Sequence, residues 1–98
     1  PKLIEEVLVT LPGIAACCVV ARPDADLGEV PVAVVVADGS AAMPAEADMR
    51  TLVQERLGRI YVPQTVYRRD ALPENAVGKV DRKALAAWVQ ARAAEPTH

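Results

Sequence analysis

The segment Leu72-Pro73-Glu74-Asn75-Ala76-Val77-Gly78-Lys79-Val80-Asp81-Arg82-Lys83-Ala84-Leu85 passes within a few residues from a polar turn to an amphipathic helix. Pro73 fixes its φ, Asn75 tolerates the left-handed region, and Gly78 is free at positive φ, so Lys79 falls on or beside a tight turn. A lysine there carries its ammonium into solvent, or against whatever closes over it. At neutral pH it is a fixed positive charge rather than a proton shuttle, which suits a phosphate or a carboxylate. The phosphate-cradling loop of nucleotide hydrolases is excluded: it needs G-x-x-x-x-G-K-[ST], and Val80 stands where the hydroxyl would be. On residue types alone Lys79 reads as a solvated turn lysine, and the pairs Arg68-Arg69 and Arg82-Lys83 as solvated faces. Asp24, Asp26 and Glu29 bring carboxylates close in sequence, but with no His or Cys nearby they make no case for a metal site.

The chain that must position these residues is 98 residues long, enough for one small domain with a single core. Just over half of the residues are apolar and none is Phe, so that core is built from Val, Leu, Ile and Ala. A net charge of −2 argues against nucleic-acid binding, which calls for a basic excess on one face. No apolar run approaches the roughly 20 residues that span a bilayer, and the N-terminus has no signal-peptide design, so no membrane span is expected. Cys17 and Cys18 are adjacent in an expected strand and point to opposite faces, which rules out an ordinary bridge or a metal pair. Two reduced core thiols fit a cytoplasmic protein.

Leu3, Ile4, Val7, Leu8 and Leu11 give a helical stripe over Pro1 to Leu11, with Lys2, Glu5 and Glu6 on the solvated side and Pro12-Gly13 ending it. Ile14 to Ala21 reads as a strand covered on both faces, followed by a turn from Asp24 to Glu29. A second strand, Val30 to Ala37, pairs antiparallel with it because the connection is short. Pro31 suggests an edge or strand-start position. A helix from about Ala45 to Leu57 buries Met49, Leu52, Val53 and Leu57, and Gly58 caps it. A third strand, Gln64 to Arg69, has the alternation of a single covered face. A last helix runs from about Asp81, as N-cap or first-turn anion, to Ala93, with Trp88 as a packing residue and Ala94 to His98 frayed. The fold class is α+β, a small and at least partly antiparallel three-stranded sheet with helices packed on it.

Leu72-Pro73, four residues, then Gly78-Lys79-Val80-Asp81-Arg82-Lys83-x-Leu85 closely resembles the last motif of the AMP-forming acyl- and aryl-acid ligases, a superfamily of acyl-CoA synthetases, nonribosomal-peptide adenylation domains and luciferases. Pro1-Lys2-Leu3-Ile4-Glu5-Glu6-Val7-Leu8 is similar to the family's P-x-x-I-E-x-x-L helix, Leu11-Pro12-Gly13-Ile14 to its (H/L)-P-x-V turn, Asp26-Leu27-Gly28-Glu29 to its D-x-x-G-E loop, and Val62-Pro63 to its (K/Y)-x-P element. These follow one another in the family's order over nearly the whole chain.

The resemblance implies that residues 1–98 form the mobile C-terminal lid of a carboxylic-acid-activating ligase, without the upstream hinge hairpin and the large N-terminal domain. It implies acyl-AMP formation from ATP, with Mg bound mainly by that N-terminal domain. Transfer to CoA or to the phosphopantetheine thiol of an acyl-carrier protein follows. Lys79 is the implied adenylation lysine, with Gly78 and Asn75 as loop support, and Arg68, Arg69, Arg82 and Lys83 as candidate contacts for CoA phosphates or an acidic carrier. The wording around Gly78 leans towards aryl-acid and peptide-synthetase enzymes, and the short stretch after the last helix towards a free-standing ligase. The reading from a different class is a non-catalytic α+β regulatory or protein-interaction module that keeps the lid fold.

Overall fold

Valine supplies the centre of the molecule. In the computed structural model, which describes residues 2–26, 28–40 and 42–93, the Val-rich segment Gly28–Ala37 is the middle strand, β2, of a three-stranded sheet. β1 (Ile14–Asp24) pairs with it antiparallel, Val19 opposite Ala33, and β3 (Thr65–Arg69) pairs parallel on its other side, Val34 opposite Tyr67. Between β2 and β3 the chain runs through α2 (Glu46–Leu57) and a 3₁₀ turn at Arg59–Tyr61, the kind of crossover that a parallel pair requires. The helices α1 (Lys2–Leu8) and α3 (Arg82–Ala93) complete the order.

Both faces of the sheet are covered. Ile4 and Leu8 of α1 and Met49 and Val53 of α2 pack with Ile14, Val19, Ala33 and Val35 on one face. Leu85 and Val89 of α3 pack with Cys18, Val20, Val32 and Val34 on the other. Alternate side chains of a strand point to opposite faces, so a strand covered on both reads as a continuous apolar run, as β1 and β2 do. Cys17 and Cys18 accordingly face different layers, and both are free thiols. Burial pushes the Cys17 thiol up to about 12, with the charge of Glu5 acting the same way.

Several sequence expectations change in detail. The β1–β2 ladder runs on to Asp24 opposite Gly28, so half of the expected polar turn, Asp24, Gly28 and Glu29, is paired strand, while Ala25 and Asp26 remain turn. There the Asp26 N–H donates to Asp24 Oδ1 at 2.9 Å. Pro31 lies near the start of the central strand and not on an edge; its carbonyl accepts from Gln64 N–H at 2.9 Å. β3 has two covered faces, with Val66 packed towards α1 and α2 and Tyr67 towards α3. α1 stops at Leu8 because Thr10 turns back on Val7: its hydroxyl donates to the Val7 carbonyl at 2.7 Å, and its N–H reaches the same oxygen. Leu3, expected on the buried stripe, is 49% exposed, and Glu5, expected in solvent, is half-buried. The expectations for Pro1 and for residues 94–98 lie outside the described residues.

Candidate functional site

The segment from Pro73 to Asp81 folds as a small hairpin, and its sequence explains each tie. Glu74 and Val80 form an antiparallel bridge, Asn75 N–H donates to the Lys79 carbonyl at 2.8 Å, and Asp81 N–H donates to the Pro73 carbonyl at 2.7 Å. Inside the loop, Asn75 Oδ1 accepts from Val77 N–H at 3.0 Å and from Lys79 N–H at 3.1 Å. Gly78 closes it at φ +84°, a conformation that costs a side-chain-bearing residue roughly 1 kcal/mol or more. Short polar side chains are suited to such self-bonding turns. The result is a rigid loop whose residues 74–80 are all exposed. Lys79 stands on it with its backbone N–H and carbonyl both bonded and its ammonium without a partner among the described residues.

The hairpin runs straight into α3. Asp81 is its N-cap: Oδ1 accepts from Ala84 N–H at 3.0 Å, and the Asp81 carbonyl takes the first helical bond, from Leu85 N–H at 3.1 Å. Asn75, Gly78 and Lys79 are therefore one loop, with Arg82 and Lys83 in the helical turn behind it. Lys83 is exposed, as is Arg68 on β3. Arg69 lies with its guanidinium carbon 4.8 Å from the centre of the Trp88 ring, which also meets Arg92 at 5.0 Å and the edge of Tyr67 at 5.7 Å. Trp88 is thus a packing platform between β3 and α3.

Arg82 is exposed, as expected of a solvated face, but it is also paired within the domain. Its Nη1 donates to Glu5 Oε2 at 2.9 Å and to the Val19 carbonyl at 3.0 Å, and its Nη2 donates to Glu5 Oε1 at 3.1 Å. Glu5 Oε2 also accepts from Val19 N–H at 2.7 Å. Burial raises the Glu5 carboxyl, but the bonds from Arg82 and Val19 and the guanidinium charge outweigh it and hold the group below its ordinary value of 4.5. The pairing of Glu5 was not legible in helical periodicity, which scores apolar spacing and is blind to what a polar residue beside the stripe can reach.

A groove of about 650 Å³ at the start of β2 is lined by Val30, Pro31, Arg50, Ile60, Val62 and Gln64, and Lys79 is not among its walls.

The sequence model of the AMP-binding enzyme C-terminal domain matches residues 3–79, from α1 to the hairpin lysine itself. The chain belongs to this family. A 2-succinylbenzoate–CoA ligase of Lactococcus lactis is 38% identical over 85 residues, 87% of this chain and 18% of that protein. A medium/long-chain-fatty-acid–CoA ligase of Mycobacterium tuberculosis is 38% identical over 93 residues, 89% of this chain and 16% of that protein. Among solved structures, an amide bond synthetase from Marinactinospora thermotolerans superposes with a TM-score of 0.84 at 34% identity, over 89% of this chain and 17% of that one. The chain spans less than a fifth of each relative's length. As a C-terminal domain of the AMP-binding enzymes it has the α+β architecture expected from its sequence, and these comparisons give no support to the non-catalytic module.

Proposed function

We propose that this domain is the mobile lid of an ATP-dependent carboxylic-acid ligase and that Lys79 is its adenylation cation. The observation that carries the reading is the ammonium of Lys79, without a partner among the described residues, on an exposed loop tied by its own hydrogen bonds. In the first half-reaction a substrate carboxylate oxygen attacks the α-phosphorus of ATP, and the bond to the pyrophosphate leaving group breaks. Two anions approach each other while negative charge shifts onto the bridging oxygen. A preorganised cation aimed there favours the transition state over the ground state. A loop that holds its shape without help from the domain body delivers such a charge at no reorganisation cost.

In the second half-reaction a thiol attacks the acyl carbon and AMP leaves. The lysine has no part in that step, which is a reason to carry it on a lid that can turn away. CoA is the acceptor favoured by the names of the two relatives above, and a carrier-protein phosphopantetheine offers the same thiol. Arg68, Arg69 and Lys83 are the cations we assign to the phosphates of either. Arg82, named with them from the sequence, is engaged with Glu5 and the Val19 carbonyl within the domain. Among the described residues no group of three or more His, Cys, Asp and Glu side chains could hold a metal ion. We assign the magnesium that accompanies ATP, with the adenine and acyl pockets, to the remainder of the ligase, as the family resemblance implies, and no step here runs through it. The two free thiols accord with a cytoplasmic enzyme.

The test is pyrophosphate release by the full-length protein with ATP and a panel of fatty, aryl and amino acids, with CoA added in a second series. Acid-dependent release is expected, and thioester appears when thiol is present. Absence of release with every acid class would count against the reading.

A further inference from the structure

The hydrogen bonds around Val19 close a ring over the edge of the sheet. β1 is an edge strand, and Val19 offers both its N–H and its carbonyl away from β2, as one member of a non-bonded antiparallel pair does. Glu5 accepts from the N–H and Arg82 donates to the carbonyl, so the two side chains take the place of a neighbouring strand. α1 lies on one face of the sheet and α3 on the other. The bridge between them wraps the edge and ties both layers and the strand together at one point. It is a salt bridge with the Glu5 side chain only 14% exposed.

Arg82 is three residues from Lys79. Nothing between Glu74 and Val80 is buried, so the direction of the hairpin is set where its ends are anchored. At the far end Leu85 and Val89 hold α3 to the sheet, but apolar contact is non-directional and tolerates small tilts. A two-pronged guanidinium–carboxylate bond fixes angle as well as distance. Three extended residues put the Lys79 backbone at most about 10 Å from the Arg82 backbone, so a tilt of about 6° about that point moves it by about 1 Å. Displacements of about 1 Å can cost on the order of 10²-fold in rate.

We propose that Glu5 and Arg82 are positioning residues for Lys79: their ring with Val19 aims the hairpin, and neither touches the reacting atoms. This rests on the assignment of the adenylation charge to Lys79. The test is made in the full-length ligase with Arg82→Ala, Arg82→Lys and Glu5→Gln, each alone and combined with Lys79→Ala. Adenylation and thioester formation from preformed acyl adenylate are measured separately.

Arg82→Ala is expected to lower kcat for adenylation about 10- to 100-fold with the acid KM unchanged. In the Lys79→Ala background it should cost less than about 2-fold, because a misaimed lysine that is already gone cannot be lost again. Arg82→Lys, which keeps the charge and loses the fork, should show most of the loss. If Arg82→Ala does not fold, Glu5→Gln carries the same comparison, since its amide oxygen can still accept from Val19.

Losses that multiply with that of Lys79→Ala, or that fall equally on both half-reactions, would overturn the positioning role and leave the lysine assignment standing. A Lys79→Ala enzyme with normal adenylation would overturn both.

Discussion

Two residues set the local chemistry of the hairpin in different ways. Asn75 contributes one oxygen that receives two backbone N–H groups. Both donors are exposed and can turn to water, so Asn75→Ala should cost only about 0.5–1 kcal/mol of stability. The loop it rigidifies carries the charge, so adenylation should fall further, by about 10-fold. A parallel thermal melt and pyrophosphate assay separate the two effects. Glu5 gives a pH signature. Its carboxyl titrates lower folded than unfolded, so the unfolded chain takes up that proton first as pH falls. The stabilisation is full above the ordinary value near 4.5 and is lost as pH drops through the lower folded value. Glu5→Gln should therefore flatten the acid limb of Tm against pH and leave its neutral region nearly parallel to wild type. An unchanged acid limb would show that the ring does not hold the carboxylate ionised.

At the scale of elements, α3 links the core to the site, because its first turn continues the hairpin and its Leu85 is fully buried against β1 and β2. Leu85→Ala should destabilise the domain by about 2–5 kcal/mol, a large part of the stability of a chain this small. Trp88 is the sole tryptophan and reports on α3 through its fluorescence, so the loss can be followed in a denaturant melt. How far the elements were legible depended on how local their causes are. Pro73, Asn75 and Gly78 write the hairpin through their own sterics, and Asp81 caps α3 within one turn, so both could be read residue by residue. β1 and β2 extend through Arg22, Asp24 and Glu29 because a ladder already in register continues across polar residues at little cost. No property of those residues announces it. The parallel side of β2 and the second covered face of β3 depend on where α2 returns the chain, which only the packed sheet decides.

For the molecule as a whole, the sheet is a scaffold with helices on both faces, and the hairpin that carries Lys79 leads into α3 beside the point where α1, β1 and α3 are tied together. Turn chemistry at Pro73, Asn75 and Gly78 was sufficient to put Lys79 on a tight turn, whereas its proposed role came from the family resemblance. The ring that aims it joins residues 77 apart in sequence, Glu5 to Arg82, which local reasoning has no means to pair. Membership of the AMP-binding enzyme C-terminal domain family then gives the lysine its proposed task. The measurement that tests this most directly is a single-turnover comparison of wild-type and Lys79→Ala full-length enzyme in the two half-reactions. Pyrophosphate release should slow by about 10²–10³-fold, the scale of a lost preorganised charge at a transition state. Thioester formation from preformed acyl adenylate should keep close to its wild-type rate. Equal loss in both half-reactions, or none in the first, would contradict the assignment of the adenylation charge to Lys79.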